Sequence, residues 1–272
     1  MAFPVFTSVA RDADDVVAML HQVAGGLPVL KVDVTQLQAT LTVLLPDEQV
    51  ASYRWENGYI NRVDSDIQYL EQGTFDPADY PLGSAQRMFD VADLRGVRGE
   101  LVLQIVEYRP GQIVMTVTSR PESSTVFFRR DGSAVANLGV TSVADITDGI
   151  AAVVGDSLSV YAVGFNPSRG YWADLPGDDE GTVINRSRVG GIPVFTTKRS
   201  ETYPHPAFSP ELIRPEALAK TIATFQKDPA EACDVQIDRR HGRSAPVVRI
   251  DCDGTVHYAD VDGRDMTGLI EG

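Results

Sequence analysis

Two cysteines are the side chains of this sequence most able to form a covalent bond. Cys233 and Cys252 flank a predicted hairpin. Symmetric pairing about its loop places Val235 opposite Ile250, and the same register places the two cysteines opposite each other. Opposed cysteines lie within bonding reach, so the register allows a cross-strand disulfide. Two buried thiols are the alternative in a reducing compartment. Two thiols without nearby histidines form a poor zinc site, so we predict no metal there.

The four histidines offer no recognisable catalytic relay. They are His21, His205, His241 and His257. None has a partner at the spacing of a Ser/His/Asp or Cys/His relay, and no Gly-x-Ser-x-Gly segment occurs. We therefore name no catalytic residue. His205 lies between two prolines, and this rigid setting makes it a candidate binding residue.

Glycine-rich and aspartate-rich segments fail to match cofactor-binding motifs. Gly25-Gly26 and Gly190-Gly191 lack the Lys-Ser/Thr or the third glycine of phosphate-binding loops. The Asp-Gly clusters near the C-terminus place Tyr258 or Arg249 where an EF-hand loop needs its first acidic ligand. We expect neither a cofactor nor a metal ion. Paired carboxylates form in space, and 38 acidic residues give no basis for naming two.

Aromatic residues are the best candidates for contact with a partner. Tyr53 and Trp55 alternate on a predicted strand before Asn57-Gly58, so both point to the same face. They belong either to the core or to a contact patch, since Tyr and Trp concentrate binding energy at interfaces. Two loops rich in proline and aromatic residues, 75–81 and 203–210, precede two predicted helices. Their candidate binding residues are Phe75, Tyr80, Tyr203, His205 and Phe208.

Charge narrows the class of partner. The 272 residues include 38 acidic and 24 basic side chains, a formal net charge of −14. A field of this sign repels nucleic acid and anionic lipid, and it favours a basic partner. Residues 1–10 lack a basic start followed by a long apolar run, and no apolar stretch approaches the length of a membrane span. We therefore expect no nucleic-acid partner, no membrane insertion and a cytoplasmic location.

Hydrophobic periodicity predicts four helices, each followed by short strands. The helical segments are 12–23, 84–94, 141–154 and 209–225. Strand-like runs follow each one, and the last run after the second helix is 134–138. Alternation in 101–106 predicts that Leu101, Leu103 and Ile105 face one side of a sheet and that Val102, Gln104 and Val106 face the other. Asn57-Gly58, Asp131-Gly132 and Asp253-Gly254 predict two-residue hairpin turns. Tight turns between consecutive strands indicate antiparallel sheets rather than parallel βαβ units.

The order of these elements predicts an α+β fold of four helix-plus-meander units in two similar halves. We place the halves at 1–139 and 140–272, as two domains or as one continuous pseudo-symmetric unit. Two correspondences support a duplication of the sequence. The loop 75–81 matches 203–210, and the pattern of 126–132 resembles that of 248–254. At the level of topology alone, the arrangement resembles secretion-chaperone-like folds of bacteria that bind polypeptides.

Three functions fit these observations. The first is a non-enzymatic protein-binding, adaptor or chaperone-like role, in which a basic or partly unfolded polypeptide is the partner. The second is a hydrolase or small-ligand enzyme with a site between the two halves. The third is an acidic inhibitor or immunity-type protein whose charge mimics an anionic ligand. The missing catalytic motifs and the strong acidity favour the first.

Overall fold

The structure, a computed structural model, describes residues 8–228, 232–240 and 242–270. The chain divides into two compact units, Met1–Val135 and Ala136–Gly272. In the described residues each unit combines helices with one seven-stranded antiparallel sheet. The predicted α+β class with two similar halves is confirmed. Whether the halves are separate domains with a boundary at 139/140 stays a prediction.

The two units contain closely matching lists of elements. The first contains α1 (Ala13–Val23), β1 (Val29–Val34), β2 (Gln38–Leu44), β3 (Val50–Glu56), β4 (Tyr59–Val63), α2 (Ala85–Leu94), β5 (Glu100–Arg109), β6 (Gln112–Arg120) and β7 (Val126–Phe128). The second contains α3 (Val143–Val154), β8 (Ala162–Asn166), β9 (Gly170–Pro176), β10 (Thr182–Arg188), β11 (Phe195–Ser200), α4 (Pro215–Phe225), β12 (Cys233–Asp238), β13 (Val247–Cys252), β14 (Thr255–Asp260) and α5 (Thr267–Ile270). Short 3-10 helices lie at Pro77–Asp79, Leu82–Ser84 and Pro210–Leu212.

Both sheets have the same strand order. It is β4-β3-β2-β1-β5-β6-β7 in the first unit and β11-β10-β9-β8-β12-β13-β14 in the second. In each unit a four-stranded meander follows one helix and a three-stranded meander follows the next. The first strands of the two meanders pair, β1 with β5 and β8 with β12. Within each meander the consecutive strands are antiparallel, so short connections are enough to join them.

Capping residues explain where two of the helices begin. The Oγ of Ser142 accepts a hydrogen bond from the N–H of Asp145 at 3.0 Å, which starts α3 as the Ser-x-x-Asp spacing favours. The sequence predicted that the fourth helix begins at residue 209, but α4 begins at Pro215. Pro210–Leu212 forms a separate 3-10 helix, and Ile213 is extended after it. Proline suits the first position of α4 because its missing N–H would have no partner there.

The helices of each unit pack on one face of its sheet. On β5, Leu103 and Ile105 share a face, as the alternation predicted, and both are fully buried in the core with residues of α1 and α2. Gln104 lies on the opposite face, where it lines a surface cavity. In the second unit, Val163 and Phe165 of β8 pack with α3 in the same way. The second face of each sheet is therefore free to carry polar side chains.

Two of the three predicted hairpin turns are confirmed. Asn57-Gly58 and Asp253-Gly254 join paired strands, and all four residues have positive φ. Asp131-Gly132 is different, because only Gly132 has positive φ. The N–H of Arg129 donates to the carbonyl of Ser133 at 2.8 Å, which gives a three-residue loop. The strand predicted at 134–138 is wrong, since only an isolated bridge at Ala134 follows β7.

One of the two proposed sequence correspondences occupies equivalent positions. Phe75 forms an antiparallel bridge with Val29, and Phe208 forms one with Val160. A 3-10 helix that begins with proline follows two residues later in both units. The segments 126–132 and 248–254 are not equivalent, because the first begins with β7 and the second lies in β13, the sixth strand of its unit. Duplication of the sequence itself stays a prediction.

The cysteine register is confirmed. Cys233 on β12 lies opposite Cys252 on β13, and Val235 lies opposite Ile250. The two cysteines are joined by a disulfide with an S–S distance of 2.04 Å. Both are buried against the core of the second unit. The bond joins the first residue of β12 to the last residue of β13, next to the hairpin turn at Asp253.

Membrane spanning by a helix finds no support in the described part of the chain. None of its helices combines the length and the apolar character that a membrane crossing needs.

Candidate functional site

A groove with an acidic rim lies in the first unit between α1 and the segment 76–83. It has a volume of about 620 Å³. Three carboxylates line it together with apolar side chains that reach its surface: Asp14, Asp15, Asp76, Ala18, Ala78 and Pro81. We call this feature the acidic groove. Its size is in the range of pockets that hold a ligand or a few side chains of a partner, about 300–1,000 Å³.

One wall of the acidic groove is the exposed side of α1. Val16, Val17 and Leu20 are fully buried against the core, so the opposite side of the helix faces outward. Asp14 and Ala18 are four residues apart and so lie on the same stripe, which faces the groove. Carboxylates in the first turn also suit the positive end of the helix dipole.

The other wall is a compact turn that follows Phe75. The Oδ1 of Asp76 accepts a hydrogen bond from the N–H of Ala78 at 2.9 Å, which starts the 3-10 helix Pro77–Asp79. The carbonyl of Tyr80 accepts from the N–H of Leu82 at 2.8 Å across Pro81, whose φ of −78° and ψ of 59° are those of an inverse γ-turn. The chain thereby folds back beside α1.

The electrostatic character of the acidic groove follows from its lining. No lysine or arginine is among the side chains that line it. Within the described residues, Asp14, Asp15 and Asp76 take part in no salt bridge. Among the described residues that line the groove, the one imidazole ring is that of His21, whose Nε2 lies 3.0 Å from the carbonyl oxygen of Leu27. Uncompensated carboxylates beside apolar surface attract a cationic group that carries an apolar neighbour.

The second unit has a shorter segment at the position that corresponds to the second wall of the acidic groove. The segment 209–214 is three residues shorter than the corresponding segment 76–84, which adds the 3-10 helix Leu82–Ser84 in the first unit. In the second unit α3 packs against α4. In the first unit α1 packs instead against the two 3-10 helices. The longer segment is therefore what builds the second wall of the acidic groove.

A second cavity lies in the second unit, on the face of the sheet away from α3. It has a volume of about 380 Å³ and we call it the Tyr203 cleft. Its principal side chains are Arg169, Trp172, Asp174, Arg199, Glu201 and Tyr203. Trp172 and Asp174 reach this face because they alternate on β9 with Tyr171 and Ala173, which lie in the core.

A charged network fixes the Tyr203 cleft. The Oδ1 of Asp174 accepts from the Nδ2 of Asn185 at 2.8 Å and from the Nη1 of Arg199 at 3.0 Å. The hydrogen bonds of Arg199 to Asp174 and Glu201 raise the pKa of its guanidinium. Burial, reinforced by the Asp174 carboxylate, raises the pKa of the Tyr203 hydroxyl. The ring of Tyr203 stacks on that of Tyr161 at 4.7 Å between centroids.

The aromatic residues predicted near the Asn57-Gly58 hairpin lie in or against the core. Trp55 is 1% exposed and belongs to the core of the first unit. Tyr53 is half-buried and packs against the same core. The core alternative therefore applies to Trp55, because a buried ring offers no surface to a partner. Neither residue lines the acidic groove.

The two loops that were predicted to bind place their residues differently. Tyr80 is 6% exposed at the edge of the acidic groove, and its ring centroid lies 5.2 Å from that of Phe75. Burial raises the pKa of the Tyr80 hydroxyl. Tyr203 lines the second cleft, and the ring of His205 lies 6.4 Å from it. Phe208 is 5% exposed in the core, so it anchors its loop and offers no surface for contact.

Sequence reasoning missed the carboxylates of the acidic groove. Asp14 and Asp15 were seen only as an acidic first turn of α1, and Asp76 was seen only as part of its loop. One signal was available in the sequence. The acidic start of the first helix and the proline-rich loop 75–81 both carry carboxylates that the predicted core does not use. Only the folded chain brings Asp14 and Asp76 to one groove.

No metal or histidine centre emerges from the residues that can be described. Among them, no group of three or more His, Cys, Asp or Glu side chains could hold a metal ion. His257 stacks on Phe225 at 4.3 Å between ring centroids. His241 lies outside the described residues.

Comparison with known proteins gives no family. No protein-family model and no curated protein matches the sequence. Among solved structures the chain is similar to the DNA polymerase III subunit beta from Pseudomonas aeruginosa, at 12% identity and a TM-score of 0.17 over 96% of this chain and 64% of that one. It is also similar to the beta subunit from DNA polymerase of Streptococcus pyogenes, at 12% identity and a TM-score of 0.16 over 93% of this chain and 63% of that one. A third is the H. pylori beta clamp in complex with 5-chloroisatin, at 10% identity and a TM-score of 0.16 over 91% of this chain and 61% of that one. The chain thus spans less than two thirds of the length of each, and at these TM-scores nothing about function follows from the likeness.

Proposed function

We propose that this protein is a non-enzymatic binding or adaptor protein, and that its acidic groove holds a basic, unfolded segment of a partner polypeptide. The observation that carries the proposal is the composition of the groove. Three carboxylates without a salt bridge in the described chain stand around an apolar floor, and no lysine or arginine lines it. Such a surface attracts a cation and buries an apolar side chain next to it.

The size of the acidic groove sets the kind of partner. A volume of about 620 Å³ accommodates a few side chains and not the face of a folded domain. A flexible segment with alternating apolar and basic residues fits this space. Its apolar side chains pack on Ala18, Ala78 and Pro81, and its basic side chains reach the carboxylates at the rim.

Charge also determines how such a partner is selected. The whole protein carries a net charge of −14, which steers a basic segment toward it at long range. The same field disfavours acidic segments and nucleic acid. Binding through exposed carboxylates weakens as salt is added, because rim charges act mainly through the association rate.

The proposal is tested with two synthetic peptides of equal length, one of alternating leucine and arginine and one of alternating leucine and glutamate. We refer to them as the Leu/Arg and Leu/Glu peptides. Fluorescence anisotropy of each labelled peptide is followed on titration with the full chain. We expect the Leu/Arg peptide to bind and its affinity to fall between about 50 and about 300 mM salt, as screening predicts. Equal binding of both peptides, or no binding of the Leu/Arg peptide, contradicts the proposal.

A further inference from the structure

The Tyr203 cleft has a lining whose formal charges cancel. Arg169 and Arg199 bring two positive charges, and Asp174 and Glu201 bring two negative ones. Arg199 pairs with both carboxylates, with its Nη1 3.0 Å from the Oδ1 of Asp174 and its Nε bonded to Glu201. An anion entering the cleft meets these carboxylates, and a cation meets the arginines. The lining therefore favours an uncharged ligand.

The polar groups of the cleft are held in place before any ligand arrives. Asp174 is 6% exposed and is bonded to both Asn185 and Arg199. The Nε2 of Gln236 donates to the Oδ2 of Asp238 at 3.0 Å, which fixes the amide at the floor. A site whose side chains are already ordered loses little conformational entropy when it binds a ligand.

The cleft offers both hydrogen-bond donors and hydrogen-bond acceptors to a ligand. Gln236 presents an amide oxygen, Glu201 a carboxylate and Arg169 a guanidinium that forms no salt bridge within the described chain. A hydroxyl group both donates and accepts, so it satisfies either kind of neighbour. A ligand with several hydroxyls and no charge uses such a surface better than an ion does.

Trp172 supplies an aromatic ring at the base of the cleft. Its indole lies flat over Gly164, where an added Cβ would come within 2.4 Å of the ring. Its Nε1–H is buried and has no acceptor among the described residues. Buried donors in folded proteins are almost always paired, so an unpaired one marks a place for an acceptor from a ligand or from water. The indole is 8% exposed, and the exposed guanidinium of Arg169 lies over it, 5.5 Å from the ring centroid. Arg169 is therefore the side chain that must turn aside to uncover the ring for a ligand.

From this arrangement we infer that the Tyr203 cleft binds a neutral polyhydroxylated ligand, a carbohydrate of one or two rings. The apolar face of a sugar ring packs on Trp172, and its hydroxyls bond to the Nε1–H of that indole, to Gln236 and to Glu201. The volume of about 380 Å³ suits a ligand of this size. This site lies outside the acidic groove, so it does not depend on the proposed protein partner.

Saturation-transfer NMR on the full chain tests the inference. The neutral probes are glucose, N-acetylglucosamine, maltose and N,N′-diacetylchitobiose, and the charged probes are acetate and ethylammonium. We expect transfer to at least one sugar and a loss of affinity of about tenfold in Trp172→Phe, which keeps an aromatic ring but removes one hydrogen bond. Gln236→Ala, a milder change on the surface of β12, is expected to weaken the same sugar.

Matched controls make the outcome decisive. Trp55→Phe makes the same substitution in the core of the first unit and should leave sugar binding unchanged. Glu180→Gln removes a charge at an exposed position outside the cleft, so binding of a neutral ligand should change by no more than about twofold. Absence of transfer to every sugar overturns the inference. Sugar binding that survives both Trp172→Phe and Gln236→Ala, or tighter binding of acetate or ethylammonium, overturns it as well.

Discussion

Asp14 and Gly83 approach each other closely although 69 positions separate them in the sequence. A Cβ added at Gly83 would lie 3.2 Å from the Oδ2 of Asp14. Gly83 belongs to the 3-10 helix Leu82–Ser84, and Asp14 belongs to the first turn of α1. The absence of a side chain at Gly83 lets the carboxylate lie against the second wall of the acidic groove. The proposed binding function depends on this convergence, because it places charge beside apolar surface.

Neutralising the rim should weaken binding more than it weakens the fold. In Asp14→Asn/Asp15→Asn we expect the affinity for the Leu/Arg peptide to fall about tenfold, as two partly exposed ion pairs are lost. The free energy of unfolding should fall by no more than about 2 kcal/mol, the sum for two carboxylates at a helix start. Anisotropy and urea denaturation measure the two effects.

The control for this variant removes two charges elsewhere. Asp148 and Asp156 are exposed in the second unit, so Asp148→Asn/Asp156→Asn changes the net charge by the same amount. Long-range steering predicts only a small effect of this control on affinity. Equal weakening by both variants would show that the peptide responds to net charge and not to the acidic groove.

Filling the groove should block binding without removing any charge. Gly83→Leu places a side chain between the two walls, and we expect the affinity for the Leu/Arg peptide to fall at least as far as in the neutralised variant. The backbone φ of Gly83 is not positive, so leucine is compatible with the local conformation. A variant with native-like circular dichroism and unchanged affinity would mean that the peptide binds elsewhere.

Trp55 should matter for stability and not for contact. It is 1% exposed, so Trp55→Ala is expected to lower the free energy of unfolding by about 3–5 kcal/mol, the cost of emptying an aromatic site in a core. Tyr59→Ala is the control, because Tyr59 is 62% exposed on the neighbouring strand. Its effect should stay within about 1 kcal/mol. A melting temperature of Trp55→Ala close to that of the unchanged protein would contradict the placement of Trp55 in the core.

The disulfide should be detectable in the purified protein and should stabilise it. Cys233 and Cys252 are 19 positions apart, and closure of a loop of this length is worth about 3 kcal/mol in the chain-entropy description. Maleimide added in denaturant without reductant should label neither cysteine, and reduction should lower the melting temperature. Two labels on each chain before reduction would show that both thiols are free and that the disulfide is absent. Its presence in protein from its native host would speak against the predicted cytoplasmic location, since cytosolic thiols are kept reduced.

Local patterns were sufficient for much of the fold. The register of β12 with β13 follows from alternating apolar residues, because a slip by one position would turn Val235 and Ile250 out of the core. Asn57-Gly58 determined a hairpin because both of its positions accept positive φ. These features depend on neighbours in the sequence.

Where the sequence misled, contacts between distant segments decide the structure. Residues 134–138 alternate like a strand, but their pairing with β7 ends at Val135, whose N–H donates to the carbonyl of Phe127 at 2.8 Å. Beyond it, the carbonyl of Ala136 accepts from the Nη2 of Arg188 at 2.8 Å, so the backbone turns to other partners. Pattern alone also cannot distinguish a buried aromatic residue from an exposed one. Phe208 lies in the core although its loop is rich in proline, because its backbone pairs with Val160.

The candidate sites could not be predicted for the same reason. The acidic groove joins Asp14 to Asp76, and the Tyr203 cleft joins side chains of β9, β10, β11 and β12. Asp14 and Asp15 belong to the first turn of a helix, Asp76 caps a 3-10 helix and Asp174 lies in a strand, so each has an ordinary local role. The strand order brings the residues of the Tyr203 cleft together, and the three-residue extension before α2 brings those of the acidic groove together.

A charge exchange tests the central claim most directly. In Asp14→Lys/Asp15→Lys the rim of the acidic groove becomes cationic while its apolar surface of Ala18, Ala78 and Pro81 is unchanged. If the groove selects its partner by charge, this variant should lose the Leu/Arg peptide and bind the Leu/Glu peptide by anisotropy, with native-like circular dichroism. If the exchanged protein still prefers the Leu/Arg peptide, the acidic groove is not the binding site.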